Sequence, residues 1–372
     1  MPWPGREGVA VASSEGLLKA TAESTARAPA AAVALLGPGR VGRALLSRFE
    51  RTQGRLRLAA VANSSEMLLG TDLIEPDWSA AGADSRTDTD LDQLVHWLEG
   101  LDCSRSIIID ATASPEVARR HAGWLKRGLA VVTANKWALA APVLQWQALE
   151  REWRRDSARY QASATVGAGL PVLSTLDRLR QAGERIEAVG GALSGTMTHI
   201  CRQVSAGTKP STALASAVEA GLTEPDPRHD LDGLDVARKL VILARASGHS
   251  LTLEQVDVDS LVPPELADGP VEHFVSGLES LDKHWQRCVD KAPGSGALIA
   301  HVGRFDPSGK ARVGLERIEP GQLLASLQGA GNLVEIRTGC YREQPLVIAG
   351  PGAGVEVTAL ALWSGVQLSA NA

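Results

Sequence analysis

Residues 224–240, EPDPRHDLDGLDVARKL, place five acidic side chains and a lysine in one segment whose second half has the apolar spacing of a helix. Leu234, Val236, Ala237, Leu240, Val241 and Leu243 define that helix, and on it Asp235 and Lys239 stand four residues apart on a common face. A carboxylate one turn from an ammonium can orient it as a proton donor or relay protons to it. Isolated pairs of this type are usually solvated ion pairs. Here large aliphatics flank both partners, which points to a cleft. Pro225 and Pro227 are expected to keep the approach to the helix extended.

A second chemical signal lies at Gly37-Pro38-Gly39-Arg40-Val41-Gly42, after the apolar run Ala31–Leu36 and before Ala44, Leu45, Leu46 and Phe49. The order strand, glycine turn, amphipathic helix is that of a dinucleotide site. Gly37 permits the turn, Gly39 lets backbone approach a pyrophosphate at the helix N-terminus, and Gly42 lets helix and strand pack closely. The next strand, Leu56–Ala62, ends where an NAD-specific fold places an acid on the ribose, yet the chain continues Asn63, Ser64, Ser65. With no carboxylate to repel a 2′-phosphate and Arg40 in the glycine loop, NADP is expected, with NAD possible. Two further strands, Ser106–Asp110 and 129–132, open into Ala111-Thr112-Ala113-Ser114 and Thr133-Ala134-Asn135-Lys136. Strand ends of this kind border ligands in open parallel sheets.

These elements imply an α/β chain: a Rossmann-type doubly wound parallel sheet, then an α+β domain with a mixed sheet, which the family resemblance described below makes the catalytic and dimerisation domain. At 372 residues two domains are expected. The boundaries read as a tail at 1–30, a dinucleotide-binding domain at 31–155 completed by 345–372, and a substrate domain at 156–344. Strands are expected at 186–194, 297–304, 310–315 and 334–338, with a helix at 214–220 capped by Gly221, whose lack of a side chain leaves an approach to the cofactor.

The run Glu-Pro-Asp-Pro, Asp-Leu, Gly-x-Asp-Val-Ala-Arg-Lys resembles the homoserine dehydrogenases, as do VVTANK at 131–136, VGAGLP at 166–171 and GALSGTMTHI at 191–200. The resemblance covers about 31–368 and is nearest to the dehydrogenase half of bifunctional aspartokinase/homoserine dehydrogenases. It implies reversible hydride transfer between L-aspartate 4-semialdehyde and L-homoserine, in threonine, methionine and isoleucine biosynthesis. By that likeness Lys239 is the acid and Asp235 its partner, while Glu224 and Asp230 hold the substrate ammonium. Thr112 and Lys136 would border nicotinamide or substrate, with Ala62 and Asn63 at the ribose and Gly354 of the loop at 350–354 against the cofactor. Members often carry an acid before VGAGLP that helps hold a monovalent cation. Here Ser163 takes that position, leaving the carbonyls of Val166, Ala168 and Leu170. A homodimer is implied, and neither a kinase half nor a C-terminal regulatory domain is expected.

Composition bounds the alternatives. Apolar content of 44%, charged content of 22% and a net charge of −5 suit a globular enzyme and argue against nucleic-acid binding. No apolar run is long enough for a membrane span, and the four cysteines form no CxxC pair, which suits a cytoplasmic protein with reduced thiols. Two rivals are a semialdehyde dehydrogenase, which needs a cysteine nucleophile, and a non-catalytic NADP-binding sensor of the same fold.

Overall fold

Alternate residues of β1 (Ala31–Leu36) enter different cores, as a strand covered on both faces must. Ala31, Val33 and Leu35 pack with Leu45, Leu46, Leu362 and Val366, whereas Ala32, Ala34 and Leu36 pack with Leu94, Leu98 and Trp124. The structure, a computed structural model, describes residues 31–49, 55–71, 73, 78 and 85–372, so the expected tail at 1–30 lies outside the described residues.

β1 joins β2 (Leu56–Ala62), β3 (Glu66–Leu69), β4 (Thr87–Asp88), β5 (Ser106–Asp110), β6 (Ala130–Thr133) and β7 (Tyr160–Gln161) in the order β4-β3-β2-β1-β5-β6-β7. All pairings from β2 through β7 across this sheet are parallel, and β3 and β4 add an antiparallel edge. The chain therefore leaves β1 toward β2 on one side and returns as β5 on the other. That reversal opens a crevice at the carboxyl ends of β1 and β5.

A second sheet contains β8 (Ile186–Ala192), β9 (Val256–Val258), β10 (Leu298–Phe305), β11 (Ala311–Ile318), β12 (Gly331–Thr338) and β13 (Leu346–Pro351), in the order β13-β12-β8-β10-β11-β9. Only β9 and β11 pair in parallel, so the sheet is mixed, as expected. The helices Gly195–Ser205 and Leu234–Ala246 cover one face; a Cβ at Gly303 would stand 3.0 Å from Val236. On the opposite face Arg304 donates to Glu316 at 2.9 Å and Glu335 at 3.0 Å.

Three expectations change. β13 pairs with β12, so 346–351 belong to the second sheet, and only the helix Val355–Asn371 returns to the first. β7 pairs with β6, which carries the first sheet past residue 155 to Gln161. The approach at 225–233 is not extended throughout: Pro227 lies at helical angles, φ −62° and ψ −15°, and starts a turn of helix at Arg228–Leu231. Proline has no amide to lose at a helix start, so the same residue that ends one element opens the next.

Candidate active site

The crevice beside β1 has a volume of about 1040 Å³ and is lined by Gly37, Gly39, Ala62, Asn63 and Thr112 among the residues singled out from sequence. Gly37 sits at φ +87°, and a Cβ there would come within 2.9 Å of Thr112. A Cβ on Gly42 would lie 2.3 Å from the Gly37 carbonyl, whereas Gly39 has nothing within 4 Å of that position. The loop is thus closed on its protein side and open toward the crevice, where a pyrophosphate fits against the amides of the helix Arg40–Phe49. Asn63 Oδ1 is engaged locally, accepting from the amides of Ser65 and Glu66 at 2.7 Å each.

A carboxylate gripped from both halves of the molecule lies at their junction. Lys136, just past β6, reaches Asp235 Oδ1 at 3.3 Å, and Lys239, one turn along the helix Leu234–Ala246, reaches Oδ2 at 2.7 Å. Burial pushes the Asp235 carboxyl up, but the two ammonium groups outweigh it and hold it well below the ordinary range. Its side chain is 42% exposed, so it faces open space, while that of Lys239 is only 12% exposed. Lys239 also donates to the Leu193 carbonyl at 2.8 Å. An ammonium has three N–H donors; two are engaged, and one is free for a substrate oxygen. Beside this bridge Arg238 stacks over Trp137 at 4.8 Å.

Asp230 stands in the turn Arg228–Leu231, half-buried, and accepts the Glu224 amide at 2.8 Å. Burial raises its carboxyl above the usual range, with the Glu224 amide and Thr196 acting against that. Glu224 itself is exposed.

From the crevice-lining Thr112 a polar chain that the sequence did not disclose runs into the core. Asp110, at the end of β5, accepts from the Thr112 amide at 2.9 Å and hydroxyl at 2.6 Å, and from Asn135 Nδ2 at 2.9 Å. His121 Nε2 is 3.0 Å from the same carboxylate, and Nδ1 is 3.1 Å from the Tyr160 hydroxyl. The chain is satisfied when Tyr160 O–H donates to Nδ1 and Nε2–H donates to Asp110. Burial, then the Asp110 charge, raises the Tyr160 hydroxyl well above its usual value, which keeps that proton in place.

Other expected site residues stand apart from the crevice lining. Arg40 opens its helix exposed, Val41 and Gly42 pack inward, and Arg43, one turn from Arg40, lines the crevice instead. Gly221, at φ +65°, follows the helix Pro210–Glu219 on the surface, and Gly354, at φ +135°, precedes the helix Val355–Asn371. The VGAGLP loop meets that helix start: a Cβ on Gly169 would lie 3.2 Å from the Val357 carbonyl. Within it Val166 and Ala168 are buried, Ala168 at φ +50°, and Leu170 is half-buried. None of the four cysteines lines the crevice, and burial pushes Cys201 up to about 12, so a cysteine nucleophile finds no support.

A doubly wound parallel sheet with a glycine-turned crevice at its strand ends defines a dinucleotide-binding protein. The chain belongs to the homoserine dehydrogenase family. The family model for homoserine dehydrogenase matches residues 171–366, and that for the homoserine dehydrogenase NAD binding domain matches 37–161. The chain is 38% identical over 342 residues to the chloroplastic bifunctional aspartokinase/homoserine dehydrogenase 2 of Zea mays, covering 88% of this chain and 37% of that one. It therefore spans under half the length of this relative. The homoserine dehydrogenase of Emericella nidulans is 33% identical, with 88% of this chain and 94% of that protein covered. A crystal structure of a Candida auris protein of unknown function superposes with a TM-score of 0.82 at 28% identity, covering 91% of this chain and 98% of that one.

Proposed function

We propose that this protein interconverts L-aspartate 4-semialdehyde and L-homoserine with NADP. The observation that carries the reading is the Asp235 carboxylate held by Lys136 and Lys239, with Lys136 next in sequence to Asn135, whose side-chain amide reaches the crevice-lining Thr112. When bound, the nicotinamide supplies or accepts the hydride. Reduction places negative charge on the aldehyde oxygen, and Lys239 stabilises it and donates the proton that completes the alcohol. Asp235 keeps that ammonium aimed, and Lys136 adds a second contact on the same carboxylate. Glu224 and Asp230, in the loop ahead of the helix, receive the substrate ammonium. NADPH oxidation followed at 340 nm with L-aspartate 4-semialdehyde tests the reading; tight NADPH binding with no turnover on this substrate would favour the sensor alternative.

For NADP over NAD, Arg43 is the better-placed cation than Arg40, since it shares the crevice with Asn63 and Ser64 at the end of β2. The carboxylate of Asp90, on the same crevice, is engaged in capping its helix through the Asp92 and Gln93 amides. Arg43→Ala should raise the KM for NADPH about tenfold, the worth of one charge-assisted phosphate contact, and leave that for NADH unchanged. Equal effects on both cofactors would detach Arg43 from the 2′-phosphate.

We further propose a cytoplasmic homodimer that uses the second sheet, whose face away from the helices carries the half-buried Arg304 with its two glutamates. Light scattering that returns a monomer mass would end that proposal. A monovalent cation on the carbonyls of Val166, Ala168 and Leu170 would lack a carboxylate at Ser163. Rates in sodium, potassium and choline chlorides should accordingly be alike, and a strict requirement for one ion would overturn this.

A further inference from the structure

Arg245 sits deep in the protein, 3% exposed, in the last turn of the helix that carries Asp235 and Lys239. A buried guanidinium normally has a carboxylate partner, because desolvating an unpaired charge is costly. Here the described ion pairs include none for Arg245; burial pushes its guanidinium down to about 10, with the more distant charges of Glu150 and Glu254 acting against that. Its partners are backbone carbonyls: Nε donates to Leu251 at 2.9 Å, and Nη1 donates to Leu139 at 2.7 Å and Ala141 at 2.8 Å. Trp146, on the helix that follows, lies under the guanidinium at 5.2 Å.

Leu139 and Ala141 belong to the turn that begins at Lys136, and this turn has few bonds of its own. Its front is fixed by Asn135, whose Oδ1 accepts the Trp137 amide at 3.1 Å, and one backbone bond runs from Ala140 to the Lys136 carbonyl at 3.0 Å. Its back is fixed by Arg245. Because the same arginine is built into the helix of Asp235 and Lys239, it ties the two sides of the junction together six residues, about 9 Å along the helix axis, from Lys239.

We propose that Arg245 is a positioning residue, clamping the turn that carries Lys136 onto the helix that carries Asp235 and Lys239 so that both lysines meet one carboxylate. The role of this bridge in turnover rests on the proposed dehydrogenase reaction; the clamp itself does not. Arg245 touches neither substrate nor cofactor, so its loss acts through the placement of Lys136.

The test uses the full chain and Arg245→Lys, which keeps a buried cation, together with Arg245→Gln, which removes it. Labelling of Lys136 by an amine-reactive reagent, followed by peptide mass mapping, should accelerate at least about threefold in both variants as the Lys136–Asp235 contact loosens, while NADPH binding measured by fluorescence stays unchanged. Turnover should fall about tenfold in Arg245→Lys, within the range that small misplacements cost. The same substitution in a Lys136→Ala background should lower turnover less than twofold further, since coupled residues do not add. Unchanged Lys136 labelling in folded variants overturns the clamp, whatever the activity. An equal loss of turnover with and without Lys136 also overturns it, in favour of a role in general stability. If the parent chain shows no turnover, the dehydrogenase reading fails on that arm alone and labelling still decides the clamp.

Discussion

Lys239→Ala should lower turnover by roughly 10²–10⁴-fold, the usual loss when a general acid is removed, while leaving NADPH affinity intact. The size of the effect follows from how the ammonium is held. Two of its donors are engaged, by Asp235 at 2.7 Å and the Leu193 carbonyl at 2.8 Å, so the third has a fixed direction. A preorganised donor of this kind stabilises the developing alkoxide without reorganising. Cofactor affinity should survive because Lys239 does not line the crevice. Fluorescence titration with NADPH beside single-turnover reduction of the semialdehyde separates the two effects. Near-normal turnover would remove Lys239 from the acid role and leave Lys136 as the ammonium on the same carboxylate. The acidic limb of the rate profile should not be set by Asp235. Its carboxyl is held below the ordinary range, so it stays ionised on lowering the pH until well under that range.

Asp110→Ala should cost about 3–5 kcal/mol of stability, the loss typical of breaking a fully buried, charge-assisted network from one side. Four hydrogen bonds converge on this carboxylate, from the Thr112 amide and hydroxyl, Asn135 and His121. Asn135 keeps a second acceptor in the Ser114 carbonyl, at 2.9 Å, but Nε2–H of His121 has no other partner and is buried completely. Urea unfolding measures the loss. Weaker NADPH binding should accompany it, since Thr112 lines the crevice. A change below 1 kcal/mol would mean that His121 and Thr112 find other partners, and that the network does not hold the ends of β5 and β6.

The four central strands of the first sheet, β2, β1, β5 and β6, were legible because they are short apolar runs ended by glycine, asparagine or hydroxyl residues, whereas the short outer strands β3, β4 and β7 were not. β1, β2 and β5 fall on the expected residues. The helix of Asp235 and Lys239 was legible for a similar reason, since its apolar spacing is unbroken. What escaped was the part decided by distant pairing. β13 reads equally well as a strand of either sheet, and only its ladder with β12 assigns it. Arg40 and Arg43 stand three residues apart at the start of one helix, and only the second lines the crevice, a difference of position along the helix that the sequence does not show. Arg245 left a trace, a charge inside the apolar run LVILARA, but two of its acceptors, the Leu139 and Ala141 carbonyls, are more than a hundred residues away, which no local pattern encodes.

The return of the helix Val355–Asn371 to the first sheet has a consequence for how the chain is made. Arg48 meets Glu356 across 308 residues, Arg55 meets Asn371 across 316, and Ala359, Leu362 and Val366 fill one face of the core around β1. As the polypeptide leaves the ribosome, the second sheet has every strand available before the first has its closing helix. One apolar face of the nucleotide-binding half thus stays uncovered, open to chaperones, through the synthesis of the whole intervening domain.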